Sequence, residues 1–71
     1  MIEITGKDIG REVVYRPAHA REAGRASEWE YGRITSFNDG GVFVLYHTRA
    51  NGKNNTGTTS ERTDRADLWW A

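Results

Sequence analysis

Cysteine is absent from the 71 residues, so the chain has no disulfide framework and no thiolate metal site. Histidine is scarce, with only His19 and His47. A structural zinc site takes four nitrogen or sulfur ligands, so neither a metal nor any other cofactor is expected. Glutamine is missing altogether, and Lys7 and Lys53 are the only lysines. Excess charge of either sign is lacking too: ten basic residues balance ten acidic ones. A general polyanion binder would be plainly basic, whereas a net charge near zero gives little colloidal repulsion and is compatible with oligomers. No apolar run approaches the ~20 residues of a membrane span, so no membrane contact is expected. The opening MIEITGKDIG lacks the charged-then-apolar layout of a secretory signal. The expectation is a soluble chain that is not secreted, and zero cysteine is compatible with a reducing compartment. Residues 1–71 make a single small domain. A core of this size supplies only ~3–5 kcal/mol of net stability. With disulfides and metals excluded, self-association is the stabilising device left open.

What is present is organised around Tyr31–His47, YGRITSFNDGGVFVLYH. Two apolar-rich runs, Tyr31–Phe37 and Val42–His47, flank Asn38-Asp39-Gly40-Gly41, a strong hairpin signal because these residues adopt positive φ at little cost. Gly32 inside the first run implies a bend, a bulge or a close backbone approach, and a bend there would suit a sheet that curls into a barrel. In the second run Val42, Val44 and Tyr46 share one face, while Phe43 and Leu45 occupy the other, where alternation would place polar groups. A strand apolar on both faces is covered on both faces, and in so short a chain the second cover can come from a partner molecule.

The flanking segments read as shorter pieces. Ile2-Glu3-Ile4 alternates like a short edge strand. Thr5-Gly6-Lys7-Asp8 has capping-box spacing and predicts a helical turn ending at Gly10. Glu12–Arg16 predicts a strand with Val13 and Tyr15 on one face and Val14 on the other, stopped by Pro17. Ala18–Ser27 favours helix by composition but lacks a large apolar residue to dock it. It is therefore expected as a long, partly helical or mobile loop. Glu28–Phe37 is the second strand and Thr48–Gly57 a polar, turn-rich loop. Thr58–Arg62 is a fourth short strand, Thr63–Ala66 a tight 3-10 turn, and Leu68-Trp69-Trp70 the closing strand. The expected core is Val13, Tyr15, Ile34, Val42, Val44, Tyr46 and Leu68.

This order of parts resembles a known family. Asp8-Ile9-Gly10, Val13-Val14-Tyr15, Gly32-Arg33-Ile34, Val42-Phe43-Val44, Tyr46 and Asp67-Leu68-x-Trp70 are similar to small Src-homology-3-like barrels of the Tudor/KOW kind. More closely, they resemble short uncharacterised proteins of tailed phages and prophages. The resemblance implies an all-β, five-stranded Src-homology-3-like barrel with a short helical turn near the N-terminus. It also implies a location in the cytoplasm of a bacterial host. Its motifs are short and structural, so they speak to fold more than to function.

Four functions fit these residues. The first is a non-catalytic module that binds a protein or a second copy of itself through Phe43, Leu45 and Trp69. Trp69 and Trp70 cannot both face the core of a strand, and tryptophan is enriched at interface hot spots. Against this, Trp69 would serve equally well as a cover for one end of the barrel. The second is nucleic-acid binding, as in many KOW-like barrels, through Arg16, Arg33, Arg49 and Lys53 with Trp29 as a stacking platform. No acid lies between Gly40 and Ser60, although Glu22, Glu28 and Glu30 crowd the other basic segment. The third is a Tudor-like aromatic cage of Trp29, Tyr31, Tyr46 and Trp70 for a methylated cation, which competes with the plain reading that these aromatics form the core. The fourth is catalysis. Small plasmid-encoded dihydrofolate reductases are tetramers of a similar barrel, but their Val-Gln-Ile-Tyr motif has no counterpart in a chain without glutamine. Ser27, Ser36 and Ser60 lie in ordinary strand or loop contexts, Asp39 reads as turn chemistry, and Gly40-Gly41 lacks the Lys-Ser/Thr of a phosphate loop. No catalytic residue is assigned.

Overall fold

The computed structural model describes residues 2–71. Its frame is one antiparallel sheet of six strands: β1 (Glu12–Tyr15), β2 (Glu30–Asn38), β3 (Gly41–Arg49), β4 (Lys53–Asn54), β5 (Glu61–Thr63) and β6 (Leu68–Trp70). The spatial order is β4-β3-β2-β1-β6, with β5 also paired to β3. Among the described residues a single α-helix, α1 (Ala18–Ala23), and four 3-10 turns accompany the sheet. The mostly-β expectation therefore holds, with six strands in place of the five expected. No described helix is long and apolar enough to cross a membrane.

The β2–β3 hairpin forms where its sequence signal lies, with Asn38 opposite Gly41. Of the four turn residues Gly41 takes a positive φ, 155°, while Asn38, Asp39 and Gly40 do not. Instead, the Asn38 side chain accepts a 2.8 Å hydrogen bond from the Gly40 N–H, a local turn that Asn favours. The Arg62 guanidinium ties the Gly40 carbonyl to β5.

Two register shifts bend the hairpin, between Tyr31 and Gly32 and between Ile34 and Ser36. The first leaves His47 as the extra residue of β3, and the second leaves Thr35 as the extra residue of β2. A bulge of this kind reverses the in–out phase. Ile34 and Phe37, three residues apart, therefore both reach the core face. Gly32 is buried between Val13 on β1 and Tyr46 on β3. A Cβ at this glycine would sit 2.5 Å from the Leu45 carbonyl oxygen and 2.8 Å from the Tyr46 Cα. Gly32 is thus a close-approach glycine.

The core unites Ile2, Val13, Ile34, Val42, Val44, Tyr46 and Leu68, with Ile4, Tyr15, Phe37 and Trp70 packed at its margin. Tyr15 is half-buried, less deep than expected. Ile2 and Ile4 contribute side chains to this core but form no strand.

Several boundaries differ from the sequence reading. Residues 18–28 hold α1 and a 3-10 turn at Ala26–Glu28. Pro17 precedes the helix with φ −61°, and Gly24 ends it in the left-handed region at φ 66°, both good terminal choices. In place of a large apolar anchor, α1 buries Ala20 completely, and Val14 is buried with it outside the main core. A small residue here lets the helix lie close. The second strand starts at Glu30, and the fourth segment pairs only from Glu61, leaving Thr58, Thr59 and Ser60 outside it. Lys53–Asn54 adds a two-residue strand that the sequence did not signal. The last 3-10 turn is Arg65–Asp67, capped by the Asp64 side chain. At the first turn, the Thr5 N–H donates to Asp8 at 2.8 Å. That backbone bond, with Arg11, holds the Asp8 carboxyl below the usual range.

Candidate functional site

On β3 the two phases separate as the alternation requires. Val42, Val44 and Tyr46 are buried, and Phe43 and Leu45 lie half-buried on the outer face. Phe43 is paired across the sheet with Ser36 on one side and Arg62 on the other, and Leu45 with Arg33. The bulge at Thr35 is fastened by its hydroxyl, which donates to the Phe43 carbonyl at 3.2 Å and meets the Ser60 hydroxyl at 2.7 Å. These bonds fix the backbone beneath Phe43.

Beside Leu45 the edge of β3 runs unpaired between β4 and β5, and Asn55 fills the gap. Its side-chain amide donates to the Tyr46 carbonyl at 2.7 Å, and its backbone N–H donates to the His47 carbonyl at 2.9 Å. The result is a groove of about 380 Å³ lined by Arg33, Leu45, Tyr46, His47, Asn55 and Gly57. Its volume falls within the range of ligand pockets. His47 Nε2 lies 2.5 Å from a Glu12 carboxylate oxygen. Glu12 is the cross-strand neighbour of Arg33, so that carboxylate is engaged elsewhere and Arg33 makes no ion pair among the described residues.

Trp69 lies on the same outer face but in a different place. It pairs with Val14, with β1 and β2 between it and β3. The guanidinium carbons of Arg16 and Arg21 each lie 5.0 Å from its ring centroid, and Arg21 also bonds Asp67 at 3.1 Å. Trp69 is therefore partly covered by its own chain and does not share a patch with Phe43 and Leu45.

The basic residues do not converge either. Arg16 stacks 4.2 Å over Trp29, so this cation and this proposed stacking platform occupy each other. Arg49 bonds Glu30 at 3.1 Å and also Glu61. Burial works against the Arg49 charge, but the two carboxylates outweigh it and raise its pKa. Lys53 is exposed on β4 and, like Arg33, makes no ion pair among the described residues. The four aromatics of the cage reading are also divided. Tyr46 is in the core, and Trp70 packs at its margin with Arg11 stacked 3.9 Å from its ring centroid. Trp29 stacks with Arg16.

A second, polar cavity of about 180 Å³ is lined by Tyr15, Glu30, Tyr46, Glu61, Asp64 and Asp67, among others. Arg49 and Arg21 neutralise three of its four carboxylates, and the Asp64 side chain caps the Ala66 N–H. Burial pushes the Tyr46 phenol up to about 12, and its hydroxyl meets that of Thr63 at 2.6 Å. These side chains are occupied in holding β5 and the following turn to the sheet. Among the described residues no three His, Cys, Asp or Glu side chains are grouped so as to hold a metal ion.

Sequence reading assigned no role to Asn55, Glu12 or Arg62, whose positions depend on strand register. The one signal pointing to Asn55 was its place in the acid-free polar loop. Comparison with protein-family models, with curated proteins and with solved structures finds no match for this chain.

Proposed function

We propose that the chain is a non-catalytic binding module, a Src-homology-3-like barrel of the Tudor/KOW kind found in phages, that docks a protein on the outer face of β2 and β3. One observation carries this reading: Phe43 and Leu45 stand side by side on that face, flanked by Arg33 and Arg62. Aromatic and aliphatic side chains beside arginine are the composition of interface centres, and lysine, frequent elsewhere on surfaces, is depleted there. A standard interface takes ~800 Å² from each partner, roughly a sixth of this chain's 4539 Å². A second copy of the chain is one form such a partner takes.

The nucleic-acid reading draws less support, because Arg16, Arg49 and Trp29 are engaged within the chain. Arg33 and Lys53 remain for it.

The test is capture from a bacterial lysate after nuclease treatment, with sedimentation of the purified chain alongside. The wild-type bait retains protein, or sediments as an oligomer, and Phe43→Ser/Leu45→Ser and Arg33→Glu each lose that contact while keeping a cooperative melt. Equal retention by all three baits, or loss of every captured protein on nuclease treatment, would overturn the reading. Arg33→Glu guards against the possibility that the double variant unfolds, since Arg33 is exposed.

A further inference from the structure

We infer that the groove beside Leu45 is a carboxylate subsite, shaped to take a Glu or Asp side chain of the docked protein with an aliphatic neighbour resting on Leu45. The inference rests on the reading that this face binds protein, and it names the chemistry of that partner.

Arg33 on β2 faces Glu12 on β1, the natural intramolecular partner for a guanidinium on that face. Glu12 is held instead by His47 at 2.5 Å. Arg33 is thus exposed and makes no ion pair among the described residues, on the wall of a groove of about 380 Å³. A guanidinium matches a carboxylate through two parallel N–H···O bonds. The opposite wall carries no competing acid, because the chain from Gly40 to Ser60 contains none.

The rest of the groove restricts the ligand further. Leu45, half-buried between the walls, supplies an apolar floor. A carboxylate with an aliphatic neighbour satisfies both floor and wall, whereas a free phosphate leaves the apolar floor unused. Asn55 gives the far wall a fixed position through three bonds: to Tyr46, to His47, and from the Gly57 N–H at 3.2 Å. That last bond also matters for selectivity. Capture of a chain-terminal carboxylate uses open backbone N–H groups, and the Gly57 N–H is already taken. A side-chain carboxylate held by a single guanidinium is the better fit.

The experiment is a titration of the 15N-labelled full chain with four probes: acetyl-Glu-Leu-amide, acetyl-Gln-Leu-amide, acetyl-leucine and inorganic phosphate. Acetyl-Glu-Leu-amide is expected to bind in the millimolar range and shift the amides of Arg33, Leu45, His47 and Asn55. The Gln peptide should bind the wild type at least about tenfold more weakly, a difference typical of losing a charge-assisted hydrogen bond. In Arg33→Gln that preference should vanish while the fold and the other amide positions stay in place.

Any of three results overturns the inference: no shift at these four residues, equal binding of the Glu and Gln peptides to wild type, or tighter binding of acetyl-leucine or phosphate. If the probes fail while Phe43→Ser/Leu45→Ser still abolishes capture, the docking face stands and only the carboxylate subsite falls.

Discussion

Replacing Gly32 by alanine adds one methyl group where β2 and β3 approach too closely to hold it. The new Cβ would lie 2.5 Å from the Leu45 carbonyl oxygen, 2.7 Å from Val44 Cγ1 and 2.8 Å from Tyr46 Cα. Carbon–oxygen contacts settle at ~3.3–3.6 Å and carbon–carbon contacts at ~3.5–4.0 Å. Relief therefore requires β2 and β3 to part by nearly 1 Å at the bulge. Two of the three obstacles are backbone atoms, so no side-chain rotation relieves them. Overpacking by one methyl group typically costs ~1–3 kcal/mol, and a backbone clash belongs at the upper end. Against a net stability of ~3–5 kcal/mol for a core of this size, most of the folding free energy is lost. Urea titration followed by tryptophan fluorescence should show Gly32→Ala with its midpoint near zero denaturant. Gly6→Ala is the control, since a Cβ there meets nothing within 4 Å, and it should stay within ~0.5 kcal/mol of wild type. If the two variants unfold at the same urea concentration, the close approach of β2 and β3 at Gly32 is wrong, and with it the placement of both bulges.

Two further variants probe the core. Ile34 is 1% exposed, so Ile34→Ala should cost ~2–5 kcal/mol and leave the chain largely unfolded by circular dichroism; a cooperative melt near the wild-type temperature would contradict the packing. Tyr46 makes alkaline stability pH-dependent. Its phenol ionises at about 12 when folded, against the ordinary value of 10.0, so in that window the folded chain keeps a proton that the unfolded chain gives up. Stability is intact below pH 10 and falls by ~1.4 kcal/mol per pH unit until the folded phenol itself ionises. Tyr15, shifted in the same direction chiefly by burial, adds to the slope. Urea unfolding at pH 9 and pH 11 measures it, Tyr46→Phe should remove most of it, and an unchanged slope in that variant would show that Tyr46 is not its source.

The hairpin could be read from the sequence because its turn residues and the alternation of Val42, Val44 and Tyr46 point the same way. The positions of the bulges could not. A pattern of apolar residues shows that Ile34 and Phe37 conflict in phase, but not that Thr35 absorbs the extra step; its bonds to Phe43 and Ser60 join residues distant in sequence. Helix α1 was legible only in part, as a partly helical stretch, for a related reason. It is held by fully buried Ala20 and by Arg21, which lies over Trp69 and bonds Asp67, whereas periodicity searches look for large apolar side chains. Phe43 and Leu45 were visible as surplus apolar residues on one strand. That Arg33 stands beside Leu45 follows only from the β2–β3 register. The separation of Trp69 from this face follows from strand order, because β6 pairs with β1 at the far end of the sheet from β4. Arg16 and Trp29, read as two parts of one binding surface, instead occupy each other.

The claim that most needs a direct test is that the outer face of β2 and β3 is where another molecule docks. Amide hydrogen exchange on the full chain, free and in complex with whatever protein the wild-type bait retains, measures this residue by residue. The account predicts added protection confined to residues 33–36, 43–47 and 55–57, with Leu45 among the most affected. Protection centred on α1 and Trp69, or on Arg49 and Lys53 with residues 43–47 unchanged, would contradict it.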